Sequence, residues 1–440
     1  MNLISLKKTI NIPNHYFVTA SAWISRISIA VIQIFTIRTL FIYLGQEKYA
    51  AYIIIYSLLP WCNLADFGIG TALQNYISES RVKGKDYKVY IKTCFQIILL
   101  VFIILIPILM LFSNYLQSFL LKHYFYIHEI QNINIILIIC FIYIISSFVN
   151  ISIKILYAMQ KGVIPNILQM ISYIISAVFI ITLNKFFADT SSITIALLCF
   201  SLPQIFIMAI PFIKIFKDSI KDITTLDLPI FKDFVIRAVK FGGFAFMALA
   251  VLQIDYFIMA RTIDPTSITT YNIFNKVFIF AFFIYSSLLS AFWPVSSELF
   301  NNHNCIKLKN SLKNYTYIGI FFMFLCIIFV YIFKNFIVKI LAPDMSFSLN
   351  LSFFILFSLY YTLRVISDTY AMFLQSINVL KIFWIYTPIQ AAISITAQYF
   401  LSLKYGLNGI ILGLILSFIF TSAWILPYKS YKIFKSKSNN

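Results

Sequence analysis

The sequence predicts an all-α integral membrane protein of about twelve transmembrane helices, divided six and six. Three observations predict it. Of 440 residues, 61% are hydrophobic and only 11% charged, too few polar side chains to cover a soluble protein of this size. Apolar runs long enough to cross about 30 Å of hydrocarbon recur from near the N-terminus almost to the end, which leaves no sizeable soluble domain. Lysine and arginine fall between those runs, mostly on alternate sides of them.

Lys7 and Lys8 precede an apolar stretch as in a signal peptide. That stretch continues for about 29 residues, Tyr16 to Leu44, too long for a cleaved leader, so a retained first helix is expected over 16–44. Further helices are expected over 48–76, 91–112, 132–158, 166–186 and 193–213, then over 240–261, 269–297, 314–333, 349–375, 380–401 and 408–428. Pro60, Pro107, Pro203, Pro294 and Pro388 fall inside them and predict kinks. The longest connection contains "LDLPIFKDFVIRAVKFGG", whose mixed apolar and charged residues suit a membrane interface. It divides the chain into an N-terminal lobe over 1–213, a cytoplasmic connection over 214–239 and a C-terminal lobe with a basic tail over 240–440.

The N-terminus, the loops after every even-numbered helix and the C-terminal tail hold about 22 Lys and Arg, against about 7 in the other loops, which predicts that both termini are cytoplasmic. The formal charge of +19 is therefore spread between apolar segments and does not form a patch for nucleic acid. Cys62, Cys94, Cys140, Cys199, Cys305 and Cys326 are scattered without a CxxC, so neither a zinc site nor a disulfide framework is expected. No GxxxxGK[ST] phosphate loop occurs, and no external loop exceeds about twenty residues, which leaves little room for a catalytic ectodomain. No catalytic residue, metal or cofactor is predicted.

A charge near a helix centre costs about 2.5 to 3.5 kcal/mol on insertion scales, so each one kept there should face protein or water. Arg26, Arg38, Asp66, Lys92, Asp255, Lys276, Arg364 and Asp368 are such residues. Arg38 and Lys92 lie within snorkelling reach of an interface. Depth along antiparallel helices matches Arg26 with Asp66 and Asp255 with Lys276, each either a neutralising structural pair or part of a functional site. Arg364 and Asp368 are four apart and share a helix face. Gly68 and Gly70, beside Asp66, suit close helix packing or a hinge.

The segments "ASAWISRISIAVIQIFTIR" and "LGQEKYAAYIIIYSLLPWCNLADFGIGTALQNYISESR" closely resemble the first two helices of the O-antigen flippases, the Wzx family of polysaccharide exporters. "QIDYFIMARTIDPTSITTYNIFNKVF" and "FWPVSSELF" resemble that family's helices seven and eight. The resemblance implies the multidrug/oligosaccharidyl-lipid/polysaccharide exporter fold, two six-helix lobes around a central cavity. It implies a non-enzymatic function in the bacterial inner membrane: moving undecaprenyl-diphosphate-linked O-antigen repeat units from the cytoplasmic to the periplasmic leaflet, by ion-coupled alternating access. Expected partners are that lipid-linked oligosaccharide, membrane lipids, H+ or Na+ as coupling ion, the O-antigen polymerase and a chain-length regulator. On this view Arg26, Lys276 and Arg364 receive the diphosphate, which cannot cross bare hydrocarbon. Asp66, Asp255 and Asp368 pair with the cations or take up protons, with Asp66 orienting Arg26, and Gly68 and Gly70 allow close packing at the cytoplasmic gate. The rival readings are a cation-coupled multidrug exporter of the same superfamily, a flippase for the peptidoglycan lipid precursor, and the polymerase itself, which would need a large external loop.

Overall fold

The computed structural model describes residues 14–217, 227–343, 351–377, 379 and 381–438, and among these every regular element is helical. Ten helical stretches are long and apolar enough to cross a membrane. Two of them, Ala20–Asp66 and Lys381–Ser436, run to 47 and 56 residues, more than one crossing needs. Each is interrupted by a glycine at positive φ, so the ten stretches make twelve crossings.

Helix α1 (Asn14–Tyr56) is broken at Gly45, with φ 70° and ψ 172°. The rings of Phe41 and Tyr49 lie 5.6 Å apart across the break. In a continuous helix eight residues would separate them by about 12 Å, so the chain turns back at Gly45. The second crossing is itself discontinuous. It passes through α2 (Leu59–Cys62), a 3-10 turn over Asn63–Asp66 and two left-handed residues, Phe67 and Gly68, before resuming as α3 (Ile69–Val82). There follow α4 (Lys88–Leu120), a short α5 (His128–Asn132), α6 (Ile135–Val149) continued by α7 (Ile151–Ala158), α8 (Val163–Phe186) and α9 (Ile193–Phe216).

The expected connection over 214–239 is helical at both described ends. Helix α9 runs to Phe216, and α10 (Leu228–Leu252) begins well before the expected start at 240. The seventh crossing then breaks at Gln253 and Ile254 and resumes as α11 (Asp255–Thr262). Next come α12 (Pro265–Asn301), α13 (Cys305–Ile332), α14 (Lys334–Leu341), α15 (Leu351–Ser376), α16 (Lys381–Ile419) and α17 (Ser422–Ser438). A Cβ on Gly409 would collide with the Leu401 carbonyl and one on Gly413 with the Gln398 backbone, so the two arms of α16 fold back on each other at Gly406.

The chain forms two compact units, Met1–Phe119 with Tyr124–Phe246, and Leu120–His123 with Met247–Asn440. The division falls inside α10. In the first unit Ile69, Ala72, Leu73, Tyr76 and Ile77 recur at helical spacing and turn one face of α3 into a core with Cys94, Ile151, Ile155, Phe216 and Phe234. In lipid such a face is held by close packing and not by exclusion of water. The second unit is built on an aromatic ladder. Tyr271, Phe274 and Phe278 on α12 meet Phe353, Phe354 and Phe357 on α15, with Phe278 stacked on Phe357 at 4.9 Å.

Candidate functional site

Two of the breaks within crossings, at Phe67–Gly68 and at Gln253–Ile254, have an acid at the helix restart. Where a helix stops inside the membrane its free N–H groups need acceptors. After the first break Asp66 supplies them: Oδ1 accepts from Gly68 N at 3.0 Å and Oδ2 from Gly70 N at 3.3 Å. Depth in the sequence matches Asp66 with Arg26. The Asp66 carboxylate is committed to its own turn, and the cation beside it is Lys154 on α7. Arg26 is exposed on α1, with its charge felt at Tyr157 on the same α7. Sequence depth matched the two residues along the membrane normal but carried no information about which neighbouring helix each faces.

Gly68 is required twice over. Its φ of 79° is unfavourable for any residue with a Cβ, and a Cβ there would lie 2.5 Å from the Ala238 carbonyl oxygen and from Gly242 N. Gly70 is less constrained, since its Cβ would meet Asp66 Oδ2 at 3.1 Å and Ile151 and Lys154 at 3.4 Å. Further along α3, polar groups missed in the sequence join it to α10. Tyr76 donates from its hydroxyl to Asp233 at 2.5 Å, and Arg237 pairs with Glu79 at 2.9 Å while its guanidinium lies 4.4 Å above the Tyr76 ring. The sequence signal was present in "KDFVIR", an acid and a base four apart on one helical face.

The second unit holds the more buried cluster. Asp255, 4% exposed at the start of α11, accepts from the Tyr271 hydroxyl at 2.7 Å and from Tyr256 N at 3.0 Å. Depth in the sequence matches Asp255 with Lys276; the hydroxyl found on it is that of Tyr271, and Lys276 lies half-buried about one turn further along α12. Asn272 donates to the Tyr256 hydroxyl at 2.8 Å, and the Tyr361 hydroxyl donates to Asn275 at 3.2 Å. No role is assigned to these tyrosines and asparagines from the sequence, although "YNIFNK" sets four polar-capable side chains within six residues of an apolar helix.

Arg364 and Asp368 do share a face of α15, with Nε 3.8 Å from Oδ2. That is an ion pair too long to be a hydrogen bond, and Arg364 Nε is buried without an acceptor. The guanidinium is stacked 4.3 Å from the Phe282 ring centre and 6.0 Å from that of Tyr361. The result is a fixed, planar, positively charged group with an unsatisfied donor, suited to a carboxylate or phosphate oxygen.

Comparison with known proteins follows from this geometry. The MatE family matches residues 243–400. A candidate O-antigen export protein of Yersinia pseudotuberculosis is 35% identical over 429 residues, 95% of this chain and 96% of that one. A candidate O-antigen transporter of Salmonella typhi is 35% identical over 439 residues, 98% of each chain. Among solved structures, the inward-facing form of a multidrug resistance MATE family transporter of the MOP superfamily aligns with a TM-score of 0.74 at 13% identity, covering 95% of this chain and 99% of that one. The lipid II flippase MurJ in an inward closed conformation aligns with a TM-score of 0.72 at 17% identity, covering 96% and 90%. At those identities the two solved structures establish likeness of fold.

Proposed function

Because the chain belongs to the O-antigen transporter family of the MOP superfamily, we propose that this multi-pass membrane protein is a flippase for undecaprenyl-diphosphate-linked O-antigen repeat units. It carries them from the cytoplasmic to the periplasmic leaflet of the bacterial inner membrane by alternating access of the N-terminal and C-terminal lobes. The observation that supports the anionic substrate is Arg364. A guanidinium held against the Phe282 ring with a donor unspoken for is chemistry for a phosphate oxygen. Lys276, half-buried in the same unit, adds a point charge, and Arg26 on α1 offers a third cation to the headgroup.

Asp368 keeps Arg364 oriented, and Asp255 is the candidate for ion coupling by H+ or Na+, being a carboxylate enclosed by tyrosines. Asp66, Gly68 and Gly70 shape the turn at which α3 meets α10. The basic segments between helices support cytoplasmic termini. Released repeat units pass to the polymerase and the chain-length regulator.

The test is complementation. In a strain lacking its own O-antigen flippase, the wild-type chain restores surface polysaccharide and Arg364→Gln does not, at matched membrane expression. Restoration by Arg364→Gln at the wild-type level would overturn the phosphate role. Efflux of cationic dyes without any restoration would favour the multidrug reading, and rescue of cells lacking the peptidoglycan precursor flippase would favour that substrate.

A further inference from the structure

The first unit holds a cavity of about 690 Å³ that the transport reading leaves unused. Three connections line it: Glu47 and Lys48 after the turn at Gly45, residues between Tyr126 and Ile133 in and around α5, and Thr190 and Ser192 before α9. They follow the first, third and fifth crossings, so they share one side of the membrane, the side poor in Lys and Arg. The loop "LKHYFYIHEIQNIN" concentrates aromatic, histidine and amide side chains unlike any other connection in the chain.

Its charges are largely used up within the protein. Glu129 accepts from Ser192 Oγ at 2.7 Å and from Ile193 N and Thr194 N at 2.9 Å, closing the N-terminus of α9. Lys48 donates to the Ser191 carbonyl at 2.8 Å and its hydroxyl at 2.6 Å. The Tyr126 hydroxyl donates to Glu47 at 2.9 Å. A tyrosine of the interfacial belt would turn its hydroxyl to lipid headgroups, whereas this one is fixed against the cavity with its side chain 61% exposed. Also lining it are the Tyr126 ring, the Asn132 amide, one N–H of which is bonded to the His128 ring, and Thr190, whose hydroxyl is engaged with Tyr43 and the Phe187 carbonyl. An anion would find two carboxylates there and one engaged ammonium. A ring with vicinal hydroxyls on its edges and an apolar C–H face finds the oxygen and second N–H of the Asn132 amide plus the aromatic surface of Tyr126.

We infer that this cavity is a glycan subsite on the face where the repeat unit emerges, binding neutral pyranose residues through the Tyr126 ring and the Asn132 amide. The inference rests on the flippase reading for the source of the glycan. The test uses the full-length protein in lipid nanodiscs and saturation-transfer NMR, with the oligosaccharide freed by mild acid from the host's own lipid-linked pool as probe. Wild type shows saturable transfer that inorganic diphosphate does not compete. Tyr126→Ala and Asn132→Ala each weaken it by about fivefold or more, and Tyr126→Phe, which keeps the ring, retains it. Both side chains are exposed, so folding is checked by size exclusion, and Asn132→Ala decides alone if the tyrosine variant fails. Absence of saturable transfer, competition by diphosphate, or undiminished binding in the folded alanine variants overturns the subsite. Surface display in the complemented strain reads the transport function separately, so display with no glycan binding removes the subsite and leaves the flippase standing, while binding without display does the reverse.

Discussion

Phe67 and Gly242 meet backbone to backbone: a Cβ on Gly242 would sit 2.6 Å from the Phe67 carbonyl oxygen. The turn after Asp66 is therefore fitted to one point on α10. Gly242→Ala should destabilise the protein by about 1–3 kcal/mol through overpacking, and Gly68→Ala by a similar amount from its left-handed backbone as well as the clash. Thermal unfolding in detergent measures both, and Gly70→Ala, whose contacts are looser, should fall well below them.

The Arg237–Glu79 pair joins the same two helices but is partly solvated, with side-chain exposures of 34% and 47%. A double-mutant cycle with Glu79→Gln and Arg237→Gln should give a coupling of no more than about 1 kcal/mol. A larger value would mean that the pair is sheltered in the membrane-embedded protein.

Tyr271→Phe removes the hydroxyl that donates to the buried Asp255 carboxylate. Leaving that acceptor short of a donor should cost about 1–3 kcal/mol, read as a drop in unfolding temperature. Asp255→Asn in the Tyr271→Phe background should recover part of the loss, because a neutral amide tolerates burial better than a carboxylate.

At Arg364 the geometry of the fork matters, so Lys is not a substitute for Arg. Arg364→Lys should retain the charge yet lower surface polysaccharide about tenfold in the complementation assay, and Arg364→Gln should lower it further. Equal display from Arg364→Lys and wild type would reduce the residue to a diffuse positive charge.

Glu129 lies outside the crossings. Burial alone would raise its pKa, but the donors from Ser192, Ile193 and Thr194 outweigh burial and hold it below its ordinary value of 4.5. With the folded pKa depressed, its stabilising effect is complete above the unfolded value and is lost as pH falls through the folded one. Glu129→Gln should therefore destabilise the protein at neutral pH by about 1–2 kcal/mol and make no difference in strong acid. Unfolding curves of the two proteins across pH 3–7 provide the check.

Much of this architecture was legible in the chain itself. Apolar length and the short turns at Gly45 and Gly406 are local properties, and hydrocarbon thickness converts them directly into crossings. The i, i+4 relation of Arg364 and Asp368 was legible for the same reason, because one helix fixes it. The partners of Asp66 and Asp255 were not. Sequence gives a residue its depth in the membrane, but a hydrogen bond also needs the rotation of each helix about its axis and the identity of its neighbour. Those are set by packing among segments far apart in the chain, such as Phe67 against Gly242 and Asp255 against Tyr271, and only the folded structure supplies them.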